Sequence, residues 1–204
     1  MDMQTMIEEI IAIEWDMFQH TENIGGRASC QDDFETFYII RGSQYANWTS
    51  EMRCCWLEFL KKSQAEGRNL VAEKYGRMMQ FTNLHHYNKH IAPFVPAVPQ
   101  SHYQLIHTIV EAQIGWEKEF AAQYPKLSQA GRPITSEGDF SGFTYMETYS
   151  RGELQPYPTA LLQLYAAYVQ QLQEEGRNLS MMIQKTTVEM YGYESIEEAE
   201  ASLQ

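Results

Sequence analysis

Glu66-Gly67-Arg68-Asn69-Leu70 recurs letter for letter as Glu175-Gly176-Arg177-Asn178-Leu179, at an offset of 109 residues. Self-similarity at a fixed spacing marks a repeat architecture. Working back from that anchor, Arg41-Gly42 meets Arg151-Gly152 at an offset of 110, and Asp33-Phe34 meets Asp139-Phe140 at 106. Gly26-Arg27 meets Gly131-Arg132 at 105, and Trp15 meets Trp116 at 101. The order is kept and the offset drifts by a few residues between anchors, as loop insertions within a tandem duplication produce. Residues 1–90 then form a first repeat, residues 91–99 a Pro-rich joint, residues 100–193 a second repeat and residues 194–204 a short acidic tail helix, the two repeats making one domain. The period is too long and the copies too few for a solenoid, so the expected architecture is two similar halves about a pseudo-twofold axis.

Periodicity makes both halves helical. Met6, Ile7, Ile10, Ile11, Ile13, Trp15 and Phe18 are spaced as one face of an opening helix, and Leu105, Ile106, Ile109, Ala112, Ile114, Trp116 and Phe120 repeat the pattern. A polar loop follows, then a short segment over residues 33–38 with Asp32 as its N-cap and Glu35 three positions on. The apolar positions Leu161, Tyr165, Tyr168, Leu172, Leu179 and Ile183 stay in helical phase across Gly176, and Met52, Trp56, Leu60, Leu70 and Met78 do so across Gly67. The spacing predicts one continuous helix of about 30 residues in each half. The alternative is that each glycine ends a helix and Asn69 begins a new one. No stretch alternates with period two, so the class is all-α, an internally duplicated helical bundle. Ser195-Ile196-Glu197-Glu198 reads as a capping box for the tail helix.

Composition narrows the partners. The 204 residues are 44% hydrophobic, enough for a folded core, and the formal charge of −12 argues against nucleic acid and against an anionic membrane surface. Three cysteines, two of them adjacent, make no disulfide framework and fit a reducing cytoplasm. The N-terminus lacks a basic signal region, and no apolar run reaches the length of a membrane span.

Several of these stretches, Gly25-Gly26-Arg27-Ala28-Ser29-Cys30-Gln31-Asp32-Asp33, Arg41-Gly42-Ser43-Gln44, the two Glu-Gly-Arg-Asn-Leu segments, Arg151-Gly152-Glu153-Leu154 and Tyr165-Ala166-Ala167-Tyr168-Val169, resemble an uncharacterised bacterial family, common in gut anaerobes, labelled as domain of unknown function number 4125. The resemblance runs from about residue 5 to residue 200. It implies a bacterial cytosolic protein and carries no activity, cofactor or catalytic residue with it.

Candidate chemistry therefore rests on residue types. Six of the eight arginines fall in matched pairs, Arg27 with Arg132, Arg41 with Arg151 and Arg68 with Arg177. A guanidinium grips a carboxylate or phosphate with two bonds, which lysine cannot copy. The partners inside the protein are Asp33, Asp139, Glu66 and Glu175; the partner outside it is the anionic group of a small ligand. Asn69 and Asn178 follow the glycines and complete the matched polar set. In a continuous helix, identical polar residues on several faces imply an enclosed level, which is a polar network or the wall of a site. Cys30, in a loop near Arg27, is the weak candidate for a nucleophile, although no histidine is tied to it and its counterpart is Ser136. Cys54 and Cys55 read as core. His85, His86 and His90 have no counterpart in the other half and no accompanying motif, so no metal site is expected. No nucleotide-binding or serine-hydrolase motif is present. Two functions remain. The first is a small-molecule enzyme or ligand-binding protein whose site, built from Arg27, Asp33, Arg68, Asn69, Arg132, Asp139, Arg177 and Asn178 between the repeats, holds an anion. The second is a non-catalytic helical interaction module in which the same residues are structural. Cofactors and oligomeric state are left open.

Overall fold

Short polar side chains set the helix starts. Asp2, Asp33, Thr49, Asn69, Asn83, Asn178 and Ser195 each accept a hydrogen bond from the backbone N–H three positions on, satisfying donors that have no partner within the helix. The computed structural model describes residues 1–23, 25–134 and 144–203, and these residues are all-α, with no strand among them. Eleven helices follow one another: α1 (Met3–Gln19), α2 (Phe34–Ala46), α3 (Ser50–Ala65), α4 (Leu70–Thr82), α5 (Leu84–His90), α6 (Gln100–Gln123), α7 (Pro125–Ala130), α8 (Met146–Leu154), α9 (Thr159–Glu174), α10 (Leu179–Met190) and α11 (Ile196–Ser202). A 3-10 turn, Ser29–Asp32, precedes α2. Among the described residues no helix is long and apolar enough to cross a membrane.

The continuous long helices do not form. Gly67 and Gly176 have φ of +72° and +64°, a left-handed conformation that only glycine adopts without penalty. At the first, the Arg68 N–H bonds to the Ser63 carbonyl and the Gly67 N–H to the Gln64 carbonyl; at the second, the N–H groups of Arg177 and Gly176 bond to the carbonyls of Leu172 and Gln173. These are Schellman ends. Each asparagine then caps a new helix and fastens it to an opening helix. Asn69 Nδ2 donates to the Met17 carbonyl of α1 at 2.6 Å, and Asn178 Nδ2 to the Trp116 carbonyl of α6 at 3.1 Å. The apolar phase survives the break because both helices of each hairpin face the same core.

Two further expectations change. The N-cap of α2 is Asp33, not Asp32, and α2 runs for 13 residues instead of two turns. Its buried stripe contains Arg41 and Ser43, so periodicity alone undercounts it. Cys54 is exposed and so lies outside the core, whereas Cys55 is half-buried and packs against it.

The packing is an exchange between the halves. Helix α1 packs on α3 and α4, and α6 packs likewise on α9 and α10, while α4 crosses to α8 and α10 crosses to α2; α3 and α9 meet in the middle. Where the halves join, Trp48 meets Tyr157 and Tyr165, and Tyr157 lies 4.6 Å from Trp56, centroid to centroid. The Pro-rich joint is tied down by buried Arg77, which donates to the Pro96 carbonyl at 2.7 Å. In the tail, Ser195 caps α11 by accepting from the Glu198 N–H, but the Glu198 carboxylate accepts from the Glu194 N–H, so the reciprocal half of a capping box is not made. The tail's carboxylates do more than face solvent, because Glu200 accepts from the N–H groups of Lys126 and Leu127 at the start of α7.

At the α4–α8 crossing the backbones nearly touch. A methyl group at Gly152 would lie 2.6 Å from Met78 Cγ and 3.2 Å from the Lys74 carbonyl oxygen, whereas one at Gly42 would meet chiefly the flexible end of Met190 at 3.3 Å. Gly152→Ala is therefore expected to cost about 1–3 kcal/mol as overpacking, or roughly 2–4 °C of Tm per kcal/mol. Gly42→Ala stays near wild type. Thermal unfolding of the two variants side by side checks the difference.

Candidate functional site

The strongest polar feature of the interior begins with a carboxylate on an apolar stripe. Glu14 lies in helical phase with Ile7, Ile10, Met17 and Phe18 on α1 and is 2% exposed. An unpaired carboxylate there would be untenable. Arg41 of α2 answers it with two parallel bonds, Nε to Oε2 and Nη2 to Oε1, both 2.8 Å. The Tyr45 hydroxyl and Trp56 Nε1 also donate to Glu14 Oε1, at 2.5 and 2.9 Å. The remaining arm of Arg41, Nη1, reaches Glu153 Oε1 of α8 at 2.8 Å. Lys74 Nζ of α4 binds Glu153 Oε2 at 2.5 Å and also donates to the Tyr149 hydroxyl. Tyr157 donates to Glu153 Oε1 at 3.1 Å. Two carboxylates and two cations thus close a neutral network across four helices.

Titration follows from that pairing. Burial alone pushes Glu153 upward, but the Arg41 guanidinium and then the Lys74 ammonium overcome it and hold the carboxyl well below the usual range. Burial lowers Arg41, yet Glu14 and Glu153 more than compensate and raise it well above its ordinary value. Burial raises the phenols of Tyr45, Tyr149 and Tyr157.

This network forms one wall of a cavity of about 200 Å³ whose other walls are largely aromatic, including Phe18, Phe37, Trp56 and Tyr75. Asp33, Cys30 and Arg132 also line it. A second cavity, again about 200 Å³, shares Arg41, Tyr149, Glu153 and Tyr157 with the first as a common wall. At offset 109, residues lining one cavity map onto residues lining the other: Trp56 onto Tyr165, Arg41 onto Ser150, Val71 onto Ser180, Lys74 onto Ile183, and Gln44 onto Glu153. The bonds from Asn69 to Met17 and from Asn178 to Trp116 set the α1–α6 register at 99, which puts Gln113 opposite Glu14 and Glu117 opposite Phe18.

The matched arginines of the sequence do not assemble into one cluster. Arg27 is half-exposed and held by Asp32, through Nε at 3.0 Å and Nη2 at 2.8 Å, and by Gln19. Its partner is Asp32 because Asp33 is occupied in capping α2, accepting from the Thr36 N–H at 3.0 Å. Arg68 is bidentate on Glu73, at 2.9 and 3.0 Å, and lies over Phe59; Glu66 does not take this role. Arg177 pairs with Glu175 at 3.0 Å on the surface. Arg132 is exposed, donates to the Thr144 carbonyl at 3.1 Å and stacks over the Tyr149 ring, 4.9 Å from its centroid. Asp139 and Ser136 lie outside the described residues. Arg41 and Arg151 have different surroundings, Arg41 being buried while Arg151 pairs with Glu147 at 3.0 Å nearer the surface. Of the expected set, the structure brings Asp33 and Arg132 to the first cavity, and Arg177 and Asn178 to a shallow groove beside Trp116. Among the described residues no His, Cys, Asp and Glu side chains group as metal ligands.

Glu14, Arg41, Lys74, Glu153 and the tyrosines around them were missed as a group. The available signal was Glu14 itself, a charge in phase with isoleucines.

Breaking the network from one side leaves cations without a counter-charge. Glu153→Ala is expected to cost about 3–5 kcal/mol, read by urea unfolding at neutral pH. Because the folded-state pKa of Glu153 is depressed, its contribution is fully present above the unfolded value of about 4.3 and is lost as pH falls below it. Wild type should lose stability on acidification through that range, with a smaller slope in Glu153→Gln.

No curated protein and no solved structure matches this chain. The family described as Protein of unknown function (DUF4125) matches residues 4–201. With nearly the whole length covered, the chain belongs to the DUF4125 family.

Proposed function

We propose that the protein binds a small molecule with an aromatic or apolar body and one anionic group, using the first cavity. One observation carries this reading. Glu14, Arg41, Lys74 and Glu153 on the wall neutralise one another, whereas Arg132 at the exposed edge has no carboxylate partner among the described residues and is steadied only by Tyr149 and a carbonyl. A planar cation stacked on an aromatic ring keeps its outward-facing N–H groups for a carboxylate or phosphate. The aromatic walls suit the apolar remainder of such a ligand. Asp33 beside the cavity serves α2 as its cap, and Arg27, Arg68 and Arg177 fasten local structure, so the anion site reduces to Arg132.

The helical interaction module remains the second reading. It is favoured by the local pairing of Arg27, Arg68 and Arg177 with Asp32, Glu73 and Glu175. Three free thiols suit a reducing bacterial cytoplasm for either function. Supporting an origin by duplication are the boundaries of α3 and α9, which coincide at offset 109, the matched Schellman ends, and the reciprocal α4–α8 and α10–α2 crossings.

The test is a thermal-shift and calorimetric comparison of phenylacetate and phenyl phosphate with neutral phenylacetamide. The anions should raise Tm and the amide should not. Arg132→Gln should keep its own Tm and bind the anions at least about tenfold more weakly, as expected for loss of a charged hydrogen bond worth about 1.5–3 kcal/mol. Arg68→Lys should instead lower Tm with the ligand-induced shift intact. Equal binding by wild type and Arg132→Gln would overturn the assignment.

A further inference from the structure

The second cavity has the opposite electrostatic character from the edge of the first. Both cavities are lined by Arg41 and Glu153, which are bound to each other, but Lys74 and Arg132 line only the first. The second cavity's own charged side chain is Glu117, which no Lys, Arg or His pairs with among the described residues. Burial raises the Glu117 pKa, a tendency only partly offset by a hydrogen bond from Ser180. One turn earlier on α6, Gln113 spends its amide N–H on the Tyr165 hydroxyl at 3.0 Å, which leaves Oε1 as a buried acceptor with no hydrogen-bond partner. Residues four apart on a helix present neighbouring side chains, so a carboxylate and an amide oxygen stand side by side in the same wall. Both accept, and neither has a donor that matches its burial. The wall shared with the first cavity brings Arg41 and Glu153, which are bound to each other, and apolar surface is supplied by Trp116, Leu179 and Ile183.

We propose that the second cavity is a binding site for a small organic ammonium ion, whose N–H groups donate to the Glu117 carboxylate and to Gln113 Oε1 while its apolar body lies against Trp116, Leu179 and Ile183. An ammonium offers three donors and no acceptor, the complement of an amide oxygen with no donor beside a carboxylate that has only Ser180. A metal ion is the poorer fit, since Glu153 is taken up by Arg41 and Lys74 and no His, Cys, Asp and Glu side chains group as metal ligands among the described residues. The net charge of −12 favours approach of a cation over an anion. This site is independent of whatever the first cavity holds.

The experiment titrates the full chain with phenethylammonium, followed by calorimetry and by amide chemical shifts, with 2-phenylethanol as the neutral counterpart of the same shape. Phenethylammonium is expected to bind with a Kd of about 1 mM or tighter, and 2-phenylethanol at least about tenfold more weakly. Glu117→Gln abolishes that preference, while Arg132→Gln at the other cavity leaves it unchanged. Affinity in wild type rises from about pH 4 to about pH 7, because the cation selects ionised Glu117 and the free carboxyl titrates above its ordinary value near 4.3. If Glu117→Gln does not fold, the neutral analogue and the pH series on wild type decide alone. Equal affinity for the alcohol, a flat pH profile, unaltered binding by a folded Glu117→Gln, or no saturable binding would each overturn the proposal. Glu117 would then be a structural acceptor for Ser180 at the start of α10.

Discussion

Arg41 is the side chain on which the interior depends. Its guanidinium lies between Glu14 of α1, which has no other counter-charge among the described residues, and Glu153 of α8, which Lys74 also holds. Two bonds to Glu14 fix the plane of the fork, and the fork's third direction selects Glu153. Lysine at this position would supply a charge without that geometry. Well-packed hydrophobic residues often stabilise a fold as much as a buried ion-pair network does; what the network adds is a definite mutual placement of α1, α2, α4 and α8. The same placement leaves room on each side, so the two cavities are consequences of one polar wall.

The network also accounts for the distribution of the other charges. Arginines away from the wall find carboxylates close by in sequence, at Asp32, Glu73 and Glu175, and such pairs brace turns at modest energetic value when exposed. Arg132 and Glu117 stand apart, one positive and one negative, at different cavities. Both cavities share Arg41 and Glu153, which neutralise each other; the first adds Lys74 and, at its edge, Arg132, whereas the second adds Glu117.

How much of this was readable before the structure depends on the range of each signal. The all-α class, the opening helices and the N-cap at Ser195 are encoded within a turn or two, by periodicity and by capping side chains, and they were legible. The break at Gly67 and Gly176 was equally local, yet apolar phase cannot distinguish a continuous helix from two helices facing one core, and only the sign of φ decides between them. The matching of Arg41 to Arg151, and of Trp15 to Trp116, followed identical letters, whereas the spatial register is set by which backbone carbonyl each capping asparagine reaches. Glu14, Lys74 and Glu153 meet across separations no local pattern records. Arg132 and Asp33 were picked out for their type and do line a cavity, but their neighbours in the expected set are spread over the molecule's turns.

The crossing of α4 to α8 and of α10 to α2 has a temporal side. Ser43 on α2 receives a hydrogen bond from Thr187 on α10, 144 residues later in the chain. During synthesis at about 5–20 residues per second, roughly 7–30 s separate the appearance of the two. Over that interval the first half presents the faces of α2 and α4 to whatever surrounds the ribosome, and Arg41 waits for Glu153. Distant pairings of this kind slow folding. A cell making this protein must therefore shelter an incomplete half, and the most exposed moment in the chain's life comes before its last helices exist.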